Sequence, residues 1–282
     1  MPTEAPAAVS QNIKGRSHLC MIQPPFRSPH HGASVEGLLG GGKTVRPGEI
    51  SLAHFGTLFL DEAPEFRTSV LKALREPLED GVITIARAEG SLELPAEFQL
   101  ILVANPCPCG RLGQQSPGSP SLCFCSDEEI HRHWQRLGSA LLDRIEIRIP
   151  VLPEPSKVVG SLQSRAVESR SESSSVIAAR VRAAIDVQRR RFRGTSVRRN
   201  ARMGPAMVEK YCALAPGPAR SLQDLLYGSG LSNRALHGIL RLARTIADLA
   251  GRDEINLADL EEAVSFRKAG EDPYEVLNVS QK

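Results

Sequence analysis

The amino-acid sequence predicts an α/β protein: a partial parallel sheet with helices, followed by an all-α bundle. Two short apolar runs, 56–60 and 98–104, each deliver polar residues at their ends and read as buried strands of one sheet. From about residue 176 onward the periodic stretches have helical spacing. Between the two parts the composition turns to proline and serine, as in a linker.

At 282 residues the chain has room for one large domain or two small ones, and the shift in composition favours two. A net charge of +3 with 24% charged residues implies no nucleic-acid partner by itself. Distribution matters more. Arg189, Arg190, Arg191, Arg193, Arg198, Arg199 and Arg202 form a dense basic block, which suits either a phosphate-bearing partner or a solvated helix end. No apolar run approaches the roughly 20 residues a membrane span needs, and residues 1–15 lack the apolar core of a signal peptide, so a cytoplasmic protein with no membrane partner is expected. Six cysteines in that compartment point to metal chemistry before disulfides.

Residues 1–23 are polar, rich in small side chains and aperiodic, and are expected to be a disordered tail. The prolines of PPFRSPHH rule out a helix and permit an extended edge segment. Its adjacent histidines make a poor chelate, because neighbours on an extended segment point to opposite faces. GLLGGGKT, 37–44, matches the phosphate-loop pattern G-x-x-x-x-G-K-[ST] letter for letter. Such a loop must follow a strand and open a helix. Here no strand pattern precedes it, and Arg46-Pro47-Gly48 stops any helix soon after, so a glycine-rich loop or insert is expected instead.

The run 56–60 delivers Asp61 and Glu62 at its end, and 98–104 delivers Asn105. Ligands of an open parallel sheet sit outside the carboxyl ends of its strands, so the three side chains can share one crevice. One carboxylate to hold magnesium, a second to orient a water, and an amide to position that water suit phosphoryl transfer. Two acids capping a strand is the plain alternative. Between the runs, Val70, Leu71, Leu74 and Leu78 recur at helical spacing up to Gly81, predicting one amphipathic helix of about four turns. Then 82–85 and 91–94 alternate by face around Arg87-Ala88-Glu89-Gly90, a β-hairpin pattern.

Cys107, Cys109, Cys123 and Cys125 form C-x-C-x13-C-x-C around a loop of glycine, serine and proline. Four thiolates in two close pairs suit a closed, structural zinc site; reduced thiols on a mobile loop are the alternative. Ser126-Asp127-Glu128-Glu129 is a capping-box pattern that opens a helix bearing Trp134. Arg144 precedes a predicted third strand, 145–149, where a local salt bridge is its ordinary role. Helices are predicted at about 176–192, 204–213, 218–227, 232–249 and 257–268, with Ser232 and Asn256 as N-caps. Arg234 sits in the first turn of the longest, against the macrodipole, where an anion or solvent must offset it.

The stretches PPFRSPHHGAS, RPGEISLAHFGTLFLDE, LKALREPLEDG, NPCPCG, LLDRIE and LSNRALHGILRLARTIADLAG resemble the magnesium-chelatase-like AAA+ ATPases of the ComM competence type, over about 24–270. The resemblance implies an ATP-driven, homo-oligomeric ring motor that uses Mg2+ and acts on branched DNA. It makes Asp61 and Glu62 the Walker B pair, Asn105 the first sensor, Arg144 the arginine finger offered to a neighbouring subunit and Arg234 the second sensor. It also turns the hairpin 82–94 toward the pore and leaves GGGKT in an insert. On this comparison the chain corresponds to the C-terminal portion of such a motor: a tail over 1–23, a partial AAA+ core with a Cys-rich insert over 24–153, a linker over 154–175 and a helical lid over 176–282. The Walker A segment would then come from another chain, without which the motor is expected to be inactive. Competing readings are a non-catalytic, zinc-stabilised DNA-binding or scaffold remnant, and the motor subunit of a metal chelatase.

Overall fold

The computed structural model describes residues 23–87, 90–112, 123–151, 172–227 and 231–268. The expected tail lies outside them apart from Gln23, and the expected linker apart from 172–175.

Pro24 and Pro25 hold the first segment extended, and Phe26–Arg27 forms edge strand β1. Val35–Leu39 (α1) runs into a glycine hairpin, Gly40–Gly41 (β2) against Arg46–Pro47 (β3), and Glu49–Leu52 (α2) follows. GGGKT therefore comes after a helix and turns back on itself, the reverse of a phosphate loop. Thr57–Leu60 (β4) pairs in parallel with β1 on one side and, on the other, with a later strand. Gly56 is required at this junction, since a Cβ there would lie 1.9 Å from the Pro25 carbonyl oxygen.

The helix expected up to Gly81 is two pieces, Thr68–Ala73 (α3) and Arg75–Asp80 (α4), broken at Leu74. Pro77 is the cause: it has no N–H for the Ala73 carbonyl, and its ring crowds that turn. Gly81, at φ 71°, ends α4 and donates to the Pro77 carbonyl. Val82–Arg87 (β5) and Gly90–Pro95 (β6) form the expected hairpin, with Arg87 opposite Gly90. Gln99–Leu102 (β7) completes a three-stranded parallel sheet of order β1-β4-β7, in register from Thr57↔Gln99 to Leu60↔Leu102.

Asp127–Gln135 (α5) opens on a complete capping box: Glu129 N–H donates to Ser126 Oγ, and Ser126 N–H donates to Glu129 Oε2. Ser139–Leu142 (α6) follows. The third strand expected at 145–149 does not form. The segment runs irregularly, and the Arg148 N–H donates to the Phe266 carbonyl in the last turn of the C-terminal helix. A strand needs a ladder partner, and among the described residues none lies beside this stretch.

The helical part is Ser174–Arg191 (α7), Pro205–Tyr211 (α8), Pro216–Leu226 (α9), Asn233–Leu249 (α10) and Leu257–Lys268 (α11). Ser232 caps α10 as expected, and Asn256 with Asp259 closes a reciprocal cap on α11. The described residues form two hydrophobic cores. One gathers Leu38, Ile50, Leu58, Leu60, Phe66 and Leu71 under the sheet; the other gathers Met203, Val208, Ile239, Leu260 and Val264 within the bundle. Each fully buried leucine or isoleucine contributes roughly 1.5–3 kcal/mol.

Polar contacts join the two parts, and their signs are sorted. The sheet-bearing part supplies carboxylates and the bundle supplies guanidiniums: Glu79 to Arg234, Asp143 to Arg267 at 2.5 Å, Glu146 to Arg241 at 2.5 Å, and Glu97 to Arg202 at 3.8 Å.

Candidate functional site

Asp61 and Glu62 follow β4, and Asn105 follows β7, its neighbour in the sheet, so all three side chains stand exposed beyond the same carboxyl edge. The chain turns sharply there. Glu62 is left-handed (φ 50°, ψ 44°), one of two non-glycine residues with positive φ among those described. For a glutamate that conformation costs of order 1 kcal/mol, and the surrounding bonds hold it. Asp61 Oδ1 accepts from the Glu62 N–H at 2.9 Å, and the Ala63 N–H donates to the Val103 carbonyl at 2.8 Å. His31, which the sequence reading dismissed as a ligand, points Nδ1 at Glu62 Oε2, 3.4 Å away.

Asn105 is fixed from behind by α5. His133 Nε2 lies 3.0 Å from the Asn105 carbonyl oxygen, and the Trp134 indole N–H donates to the Pro106 carbonyl at 3.0 Å. Both bonds leave the Asn105 side chain free to face the crevice.

The next residues build the cysteine cluster. Cys107 Sγ lies 3.3 Å from Cys109 Sγ and 3.7 Å from Cys123 Sγ, and Cys109 lies 3.6 Å from Cys123. With Cys125, all four sulfurs fall within 4.8 Å of one another. Sulfurs bound about 2.3 Å from a tetrahedral zinc are about 3.8 Å apart, so the donor set fits that ion. The Arg111 backbone amide lowers the Cys109 thiol to about 6, while burial pushes Cys123 up to about 12, so one thiolate is favoured within the cluster and its neighbours must lose their protons to bind a metal. Burial likewise pushes the thiol of Cys212, in the bundle, up to about 11.

Arg144 and Arg234 do not reach the acid crevice; they meet elsewhere. Arg144 Nη2 donates to Glu79 Oε2 at 2.5 Å, its Nη1 donates to the Ala140 carbonyl at 2.7 Å, and Arg234 Nη2 donates to Glu79 Oε1. The Arg144 guanidinium, then the Arg234 charge, hold the Glu79 carboxyl below the usual range. Sequence pattern alone does not single out Glu79. Its one available signal was an acid in the last turn of a helix, where the macrodipole disfavours it.

Comparison with known families decides the identity. The family "Magnesium chelatase, subunit ChlI" matches residues 3–159, and "Magnesium chelatase, subunit ChlI C-terminal" matches 171–267. The chain belongs to the magnesium chelatase ChlI family. Among relatives of this family it is 44% identical over 246 residues to the uncharacterized protein YifB of Salmonella typhimurium, covering 87% of this chain and 46% of YifB. It is 42% identical over 248 residues to the competence protein ComM of Haemophilus influenzae, covering 87% and 45%. A Mycobacterium tuberculosis relative, Rv2897c, is 38% identical over 252 residues, covering 89% and 47%. The chain thus spans about half the length of these relatives. Its parallel sheet with helices and its helical C-terminal part are those of a partial AAA+ fold of the ComM type. None of the described helices is long and apolar enough to cross a membrane.

Proposed function

We propose that this chain is the C-terminal portion of an ATP-dependent ring motor of the magnesium chelatase and ComM kind, acting in the cytoplasm on DNA by branch migration during recombination or transformation. The observation that carries the reading is the placement of Asp61, Glu62 and Asn105 beyond the carboxyl ends of two adjacent parallel strands. In it, Asp61 holds Mg2+ on the ATP phosphates, Glu62 orients the attacking water and Asn105 positions that water against the γ-phosphate. Arg144 serves as the arginine finger for a neighbouring subunit's nucleotide, and Arg234, held beside it by Glu79, is the second sensor of the lid. The β5–β6 hairpin faces the pore. Cys107, Cys109, Cys123 and Cys125 hold a structural zinc, which fixes the loop between Asn105 and α5. Residues 24–153 form the AAA+ core and 176–282 the lid, joined by 154–175.

In this proposal the phosphate loop is supplied by another chain, and this chain turns over little ATP alone. Its purified form should therefore show negligible hydrolysis. With a chain carrying the loop added, Glu62→Gln should stop hydrolysis while sparing nucleotide binding. Turnover that survives Glu62→Gln would overturn the catalytic reading, and joint loss of binding and turnover would make Glu62 structural. A second reading, a zinc-stabilised scaffold or DNA-binding module without catalysis, is favoured by the four gathered sulfurs beside acids that touch no phosphate-binding loop among the described residues.

A further inference from the structure

We propose that Glu79 is an internal stand-in anion: it occupies Arg144 and Arg234 together, and a polyphosphate must displace it to engage them. The proposal rests on reading the two arginines as phosphate-facing, and it adds the residue that competes for them.

Both charges sit badly for their own helices. Arg234 is the second residue of α10, beside the positive end of a 17-residue dipole, and Glu79 lies in the last turn of α4, beside a negative end. Neither placement is favoured locally, and each is offset by the other across the junction between the sheet-bearing part and the bundle.

Both oxygens of the carboxylate are engaged. One oxygen takes Arg144 and the other takes Arg234, so no third donor is needed to hold the trio. The two guanidiniums differ in tethering. Arg144 is anchored to the Ala140 carbonyl, its side chain is 14% exposed, and its buried Nε has no partner. Arg234 and Glu79 are 43% and 42% exposed, open to an anion arriving from solvent. A phosphate offers more oxygens and more charge than one carboxylate, and two guanidinium forks suit it. Without Glu79 the site would carry two positive charges and the α10 amides; with it, the net charge falls by one. Displacement would release the first turn of α10 from α4 and leave the Asp143–Arg267 and Glu146–Arg241 pairs in place.

The test is calorimetric titration of inorganic tripolyphosphate into the full chain, its Glu79→Gln, Arg144→Gln and Arg234→Gln variants, and the Glu79→Gln/Arg234→Gln double variant. Removing a partly exposed competing pair should tighten binding about fivefold in Glu79→Gln at low salt. The double variant should lose that gain. If Glu79→Gln fails to fold cooperatively, Glu79→Asp replaces it: a carboxylate one methylene shorter cannot span both arginines, and tightening of about twofold is expected. Unchanged or weaker binding in the Glu79 variants, with Arg144→Gln and Arg234→Gln still weakening it, would overturn the stand-in role and leave the phosphate-facing reading intact. Binding indifferent to all the substitutions would overturn both.

Discussion

Trp134 donates its indole N–H to the carbonyl of Pro106, the residue before the first cysteine of the cluster. This bond runs from the last turn of α5 back to the end of the sheet and ties the segment carrying Cys107 and Cys109 beside Asn105. Trp134 is also the only tryptophan in the chain, which makes it a reporter.

Zinc should be found at about one ion per chain in protein purified without chelator, since the four sulfurs are already spaced as zinc ligands. Replacing Cys123 and Cys125 by serine should bring metal content near zero. Chelation should shift Trp134 emission, because loss of the ion loosens the backbone that carries its acceptor. Metal content unchanged by the double substitution would remove the site.

Asp248 should be among the most sensitive positions of the bundle. Its side chain has no exposed surface and accepts from Arg191 at 2.5 and 2.6 Å, from Asn200 at 2.8 Å and from Arg244 at 3.1 Å. Asp248→Ala leaves two guanidiniums facing a void, and breaking a buried pair in this way costs about 3–5 kcal/mol. Denaturant unfolding of the variant checks it; a loss under about 1 kcal/mol would mean water replaces the carboxylate.

Arg27 and Glu49 give the sheet-bearing part a pH dependence. Arg27 Nε and Nη2 donate to the two Glu49 oxygens at 2.6 and 2.8 Å, and this bidentate bond holds the carboxyl below its ordinary 4.5. A depressed folded pKa contributes stability that is complete above the unfolded value and is lost as pH falls through the folded one. The pair is partly exposed, so its contribution at pH 7 is only about 1 kcal/mol or less. Glu49→Gln should therefore unfold more readily than the parent at pH 7, and the gap should close in melts taken well below pH 4.5.

What the sequence made legible is what depends on local pattern. The five helices of the bundle, the caps at Ser232 and Asn256, the capping box at Ser126 and the β5–β6 hairpin are written in neighbours a few residues apart. The acid pair and Asn105 were legible because a strand end is a local feature. The break at Leu74 was legible in principle, since Pro77 stands in plain view, but the leucine spacing dominated the reading. Glu79 between Arg144 and Arg234, His31 beside Glu62, and Asp248 under Arg191 were not, because each joins residues brought together only by the folded chain. The expected strand at 145–149 failed for a related reason: strand character is completed by a partner, and no apolar run can specify one alone.

That failure yields the last prediction, which concerns the open edge of β7. Residues of a parallel strand direct both N–H and C=O to one side, alternately. The Gln99 and Val103 N–H groups donate to Gly56 and Leu60, and the Val103 carbonyl accepts from Ala63, so 99, 101 and 103 face β4. Leu100 and Leu102 then face outward, where no described strand pairs with them. Apolar side chains on β7 are partly exposed as well: Ile101 is 38% exposed and Val103 41%. An edge of this kind recruits a strand. In hydrogen exchange on the chain alone, the Leu100 and Leu102 amides should exchange fast and the Ile101 and Val103 amides slowly. Adding a chain that carries the phosphate-loop strand should slow Leu100 and Leu102 selectively, and Ile101→Lys should weaken that protection without melting β4–β7 pairing. Protection of Leu100 and Leu102 equal to that of Ile101 and Val103 before any partner is added would show the edge already filled, and the partner strand would have no place to enter.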